Sequence, residues 1–140
     1  MGDVHSKETR SYNMSRIRSK DTKPEMLVRK FLFSHGFRYK LHDKLLPEKP
    51  DIVLPKFKTA IFVHGCFWHG HEGCRYYVIP KTRTDWWLNK INNNRAKDSK
   101  SMVMLNDMGW RVLEIWECDL KNGHAESTLT SLANQIRSSI

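Results

Sequence analysis

Pro50-Asp-Ile-Val-Leu-Pro-Lys-Phe-Lys-Thr-Ala-Ile-Phe-Val-His64 holds two short apolar runs, residues 51–54 and 59–63, on either side of Pro55-Lys-Phe-Lys58. Apolar runs of four or five residues bounded by turn signals match buried strands better than helices. Proline and the lysines around Phe57 supply a tight turn. The stretch therefore predicts two neighbouring buried strands, with Asp51 opening the first.

Upstream, Phe37-Arg-Tyr-Lys-Leu41 alternates apolar and basic residues and predicts a half-buried strand, followed by a loop over residues 45–50. Before it, Asp21-Thr22-Lys23-Pro24-Glu25 places a capping residue, a proline and an acid in the order of a helix start. That helix is expected to reach about Ser34, with Leu27, Val28, Phe31 and Leu32 on one face and Gly36 as its stop. Downstream, residues 65–83 look irregular, and Thr84 can cap a long helix from Asp85 to near Gly109 whose middle, Asn92-Asn-Asn94, is weakly helical. Trp110-Arg-Val-Leu-Glu-Ile-Trp116 predicts another strand, and Leu129, Leu132, Ala133 and Ile136 a closing amphipathic helix. The fold class is thus α/β in the order α-β-β-β-α-β-α.

With 140 residues, 39% of them hydrophobic and 28% charged, the chain suits one globular domain. Residues 1–20 contain only Met14 and Ile17 as sizeable hydrophobes and read as a basic arm, leaving residues 21–140 as the domain. The absence of a long apolar stretch and the polar N-terminus predict a cytoplasmic protein, in which three cysteines favour free thiols or metal ligation.

The net charge of +9 favours a polyanionic partner, nucleic acid first. Its distribution is uneven: residues 1–20 carry a local +3 and residues 75–100 a local +5. Beside the second stretch lie Phe67, Trp68, Trp86 and Trp87. Core packing is the ordinary reading of Trp110 and Trp116 and of at least one of Trp86 and Trp87. Phe67 and Trp68 sit in too short a loop to bury both, and exposed aromatics among basic residues can stack on bases or wedge between them.

His64, Cys66, His69, His71 and Cys74 fall within eleven positions, and Cys118 follows the last predicted strand. Such density predicts a structural zinc site with four Cys or His ligands, for which six residues compete. Pro50-Asp51 could hold magnesium against a phosphate, although Pro-Asp alone usually marks a turn. Ile61-Phe-Val-His64 supplies neither the second acid nor the lysine that many nucleases carry there.

Taken together, the chain resembles the very short patch repair (Vsr) DNA mismatch endonucleases, a branch of the restriction-endonuclease-like fold. The resemblance rests on Asp3-Val-His5, Thr9-Arg-Ser11, Asn13-Met14, Asp21-Thr22 with Glu25, Pro50-Asp51, Phe62 through His69, Thr82-Arg-Thr84, Gly109-Trp-Arg-Val-Leu113 and Trp116-Glu-Cys118, and it extends from about Asp3 to Asp119. It implies zinc on Cys66, His71, Cys74 and Cys118, forming a zinc-stapled loop. It also implies magnesium on Asp51 and the carbonyl of Val63, water positioned by Glu25, His69 as general base and His64 assisting at the phosphate. DNA contacts are implied for Met14, Ile17, Phe67, Trp68, Trp87, Lys90 and Asn94, the aromatics as a wedge and the last two near the mispair. The implied substrate is double-stranded DNA with a T:G mispair, nicked 5′ of the T. The enzyme is expected to be a bacterial, nucleoid-associated monomer, with MutL as a candidate partner. Where some members have one residue between His71 and the next cysteine, this chain has two.

Two other functions compete. A restriction-like or HNH-like nuclease would cut paired DNA with the histidine cluster holding its catalytic metal. A non-catalytic zinc-containing DNA-binding module would leave Glu25, Asp51 and His69 dispensable.

Overall fold

The computed structural model describes residues 22–46 and 50–138. The predicted basic arm, with Met14 and Ile17, lies outside the described residues. Within them α1 (Lys23–Ser34) is followed by β1 (Lys40–Leu41), β2 (Ile52–Leu54), β3 (Thr59–His64), α2 (Thr84–Asp107), β4 (Arg111–Trp116) and α3 (Ala125–Arg137). Short 3-10 turns cover Pro55–Phe57 and Glu117–Leu120.

The four strands form one mixed sheet in the order β1-β2-β3-β4, antiparallel except for the parallel β3–β4 pair. A parallel pair needs a crossover, and α2 provides it. Helices cover both faces. On one, Val28 and Leu32 of α1 and Leu129, Leu132, Ala133 and Ile136 of α3 pack against Ile52, Leu54, Ile61 and Ile115. On the other, Leu105 of α2 packs with Leu46, Val53 and Ala60, with Trp110 and Phe62 at its margin. Burial on both faces is why β2 reads as an unbroken apolar run rather than an alternating one. Among the described residues no helix is long and apolar enough to cross a membrane.

Several local expectations change. Leu27 is 40% exposed, because the inward arc of α1 follows Glu25, Val28 and Leu32 at i, i+3 and i+7. Only Lys40 and Leu41 of the predicted residue 37–41 strand join the sheet. The amide of Phe37 instead donates to the carbonyl of Leu32 (3.0 Å) and that of Gly36 to Phe33 (3.1 Å), a Schellman closure with Gly36 at φ +88°. Phe37 is thereby turned into the core. Thr84 does not cap α2 either. It is the first helical residue, and its hydroxyl donates back to the carbonyls of Pro80 (3.0 Å) and Lys81 (3.1 Å), while Arg83 takes the cap position with a left-handed backbone.

Candidate active site

The head of β2 and the ends of β3 and β4 meet at one edge of the sheet, where neighbouring loops converge. Asp51 immediately precedes β2, and its Oδ2 accepts a 2.7 Å hydrogen bond from the amide of Val63 on β3. Glu25 reaches the same place from α1, 1% exposed, with Arg29 Nη1 3.2 Å from its Oε2. Between the two acids stands His42, its Nε2 3.1 Å from Glu25 Oε2 and its Nδ1 4.0 Å from Asp51 Oδ1. A left-handed backbone at His42 (φ 48°) and a hydrogen bond from its amide to the Asp51 carbonyl (3.2 Å) turn the chain there.

Burial pushes the Asp51 carboxyl up from 3.8 to about 7 despite the Val63 amide; Glu25 adds repulsion and His69 works in the opposite direction. Crowding buried carboxyls is costly unless something positive compensates. Donor atoms of Glu25, His42 and Asp51 all lie within 4.8 Å of one another, so the group could hold a metal ion.

A second group lies on the α2 side of β3. His69 Nδ1 is 2.6 Å from Asp98 Oδ2 of α2, and His64 Nε2 is 2.8 Å from Glu114 Oε2 of β4. The imidazole centroids of His64 and His69 are 4.3 Å apart. Since an ionised carboxylate only accepts hydrogen bonds, each acid requires a proton on the ring nitrogen it faces.

Cys66, His71, Cys74 and Cys118 form a third group, again with donor atoms within 4.8 Å of one another. The Cys118 amide points at Cys66 Sγ (3.3 Å), and Cys118 Sγ lies 3.4 Å from His71 Nδ1. Burial pushes the Cys66 thiol up to about 12, so this thiol ionises only with help such as a bound cation. Soft thiolates with one imidazole suit zinc. The loop is wound by hydrogen bonds from the amide of His69 to Gly65 and from that of His71 to Cys66. The Arg95 guanidinium of α2 then clamps the Gly70 carbonyl through Nε (3.1 Å) and Nη2 (2.5 Å). Gly70 has φ +60°, and a Cβ there would meet Arg95 Nε, Ile91 Cγ2 at 2.6 Å and Arg95 Cζ at 2.7 Å. Gly70→Ala is accordingly expected to cost about 2–4 kcal/mol in urea unfolding through strain and overpacking. A change below about 0.5 kcal/mol would contradict this close packing.

Phe67, Trp68 and Trp87 form a half-buried aromatic cluster with centroid separations of 5.3 to 5.6 Å. Trp86 meets Trp87 edge-on but remains 45% exposed under the Arg83 guanidinium, so neither of these two tryptophans is core. Trp116 also departs from ordinary core packing: it stacks on His71 at 4.1 Å and 7° and flanks His64 at 4.9 Å. Lys90 is exposed on α2. Asn94 is half-buried and donates Nδ2 to the Trp68 carbonyl at 2.8 Å, bracing the aromatic loop.

Three residues at these groups were not singled out from sequence. Asp98 is a lone acid between Lys97 and Lys100, and Glu114 the one acid in a strand that is otherwise apolar after Arg111; both departures from local pattern were readable signals. His42 carries no such signal, because its partners are 17 and 9 positions away along the chain.

Known proteins place these groups in a lineage. The family profile described as DNA mismatch endonuclease Vsr matches residues 2–75. The type II nicking enzyme V.NmeAIP of Neisseria meningitidis is 48% identical over 141 residues, covering the whole of both chains. The type II nicking enzyme V.XorIIP of Xanthomonas oryzae is 48% identical over 94% of this chain and 97% of its own. DNA mismatch endonuclease Vsr of Escherichia coli is 40% identical over 97% of this chain and 86% of its own. The likeness thus continues past Asp119, where the motifs read from sequence stop. On this profile and these full-length likenesses, the chain belongs to the DNA mismatch endonuclease Vsr family.

Proposed function

We propose that this protein is a magnesium-dependent, strand-specific DNA endonuclease that nicks 5′ of the mispaired T in T:G mismatches. The observation that carries the reading is the convergence of Asp51, Glu25 and the carboxylate-backed His69 at one end of the sheet, in a chain of this family. The names of its relatives, mismatch endonuclease and nicking enzymes, agree with it.

Oxygen ligands suit a hard dication: Asp51 would hold it with the Val63 carbonyl as a further proposed ligand, at a buried spot that the carboxylate of Glu25 and the imidazole of His42 also reach. When bound, magnesium neutralises charge on the phosphoryl and leaving oxygens. The protein's own groups do the rest. Asp98 accepts a hydrogen bond from His69 Nδ1–H, holding that proton on Nδ1 and leaving Nε2 as the free base for the proton of the attacking water. Glu25 orients that water, and His64 assists at the phosphate.

In this reading zinc on Cys66, His71, Cys74 and Cys118 shapes the loop and takes no part in the chemistry. Grouping of those four apart from His64 and His69 supports a zinc outside the histidine cluster. His64, His69 and Asp98 also bring donor atoms within 4.8 Å of one another, and nicking by the zinc-loaded protein without added magnesium would favour a catalytic metal there instead. The fold is of the restriction-endonuclease-like kind, and residues 1–20 form a DNA-contacting arm in which Met14 and Ile17 approach opposite the wedge of Phe67, Trp68 and Trp87. A mispaired step unstacks more cheaply than a paired one, which allows selection by deformability. Lys90 reaches the mispair, and Asn94 exchanges its Trp68 contact for the DNA.

Duplexes identical but for T:G or T:A provide the test. With magnesium present, only the T-bearing strand of the mismatched duplex is expected to be cut, at least about a hundredfold faster than the paired control, because pairing restores a few kcal/mol of unstacking cost. Equal cutting of both duplexes would overturn the assignment.

A further inference from the structure

Glu114 stands out as a charge inside β4, between Leu113 and Ile115, and its carboxylate meets a histidine instead of solvent alone. The parallel register sets Phe62 beside Glu114 and His64 beside Trp116, so all four share the α2 face of the sheet. From there Glu114 Oε2 reaches His64 Nε2 at 2.8 Å. The His64 side chain is 4% exposed and boxed by Phe62, His69 and Trp116, at centroid distances of 5.8, 4.3 and 4.9 Å. Reversing this ring would put carbon against the carboxylate and forfeit a charge-assisted hydrogen bond.

An acid close to a site for DNA phosphate repels its substrate, and an apolar or hydroxyl side chain would suit the strand as well. Its placement is therefore explained by its partner. We infer that Glu114 is a positioning residue for nicking: it fixes the proton of His64 on Nε2 and leaves Nδ1 as the nitrogen open to the reaction. This rests on the role proposed above for His64.

The pair mirrors its neighbour. His69 is held through Nδ1 by Asp98 from α2, and His64 through Nε2 by Glu114 from β4. Two imidazoles in contact are thus gripped by opposite nitrogens from opposite sides. Each committed proton points to its own acid, and neither ring can exchange tautomers without breaking its carboxylate contact.

Glu114→Ala and Glu114→Gln separate this role from a structural one. In the zinc-loaded protein at pH 8, without DNA, nitrogen-15 imidazole NMR should find His64 in the Nε2–H form in the wild type and in Glu114→Gln, whose amide oxygen still accepts. Glu114→Ala should give a tautomer mixture. On the T:G duplex, Glu114→Ala should lower kcat about ten- to a hundredfold with KM within about threefold, and Glu114→Gln should recover most of that loss. An unchanged His64 tautomer in Glu114→Ala, an unchanged kcat, or equal impairment of the two variants would each overturn the inference. Melting temperatures within a few degrees of wild type keep folding out of the comparison. Because the ring measurement needs no DNA, loss of T:G selectivity in the wild type would count against the mismatch assignment alone.

Discussion

Asp51→Asn is expected to abolish nicking and, in magnesium-free buffer at pH 8, to make the protein more stable. The two effects have one cause. Burial holds the Asp51 carboxyl near 7 against 3.8 in the unfolded chain, so between those values the folded state binds the extra proton. Stability then falls as pH rises through that window, and the penalty is complete above about pH 7. Converted directly, it is roughly 4 kcal/mol as an upper limit, and about 2 kcal/mol is a realistic gain for the neutral variant. Asparagine keeps a carbonyl oxygen to accept from the Val63 amide, so little is lost in exchange. The gain should shrink below pH 7 and vanish near pH 4. Activity moves the opposite way, because the amide cannot supply the negative oxygen that a hard cation needs. DNA affinity should hold or rise, since one repulsive charge has gone. Urea unfolding at pH 5 and pH 8, with binding and nicking assays, reads all three. A destabilised variant at pH 8, or one that still nicks, would contradict this account of Asp51.

The second large effect is expected at Cys118. Wild-type protein should retain one zinc per chain through dialysis, and Cys118→Ser should lose it and melt more than about 10 °C lower. The reasoning is topological. Cys66, His71 and Cys74 belong to one irregular loop, whereas Cys118 follows β4 in the turn Glu117–Leu120. Cross-linking them closes a chain segment of more than forty residues that includes α2, and the bond energy of a structural zinc is folding energy. A loss of about 3–4 kcal/mol at this chain length corresponds to a shift of that size. Elemental analysis with calorimetry checks it, and a zinc-free variant melting like the wild type would refute the role assigned to the cluster.

The fold was legible where local pattern and burial coincide. The residue 50–64 stretch read as two buried strands because both faces are covered, and α3 read correctly because Leu129, Leu132, Ala133 and Ile136 all face one core. The misreadings fell where a residue's local propensity was spent elsewhere. Phe37 closes α1 instead of opening a strand, and Thr84 bonds backward instead of capping α2. Leu27 matched the apolar pattern, but the inward arc of α1 runs through Glu25, Val28 and Leu32, which buries the acid and leaves Leu27 40% exposed.

By itself the sequence determined the α/β class, the basic and aromatic surface suited to DNA, the density of metal-binding residues between His64 and Cys74, and the family resemblance. These depend on residue types at short spacings, which local chemistry constrains. Only the tertiary structure decided how the ionisable groups pair. Bringing Asp98 to His69, Glu114 to His64 and His42 between Glu25 and Asp51 requires a helix, a parallel strand register and a left-handed turn to converge. Such contacts span up to fifty positions along the chain, and their geometry is set by the packing of whole elements, which no local pattern encodes.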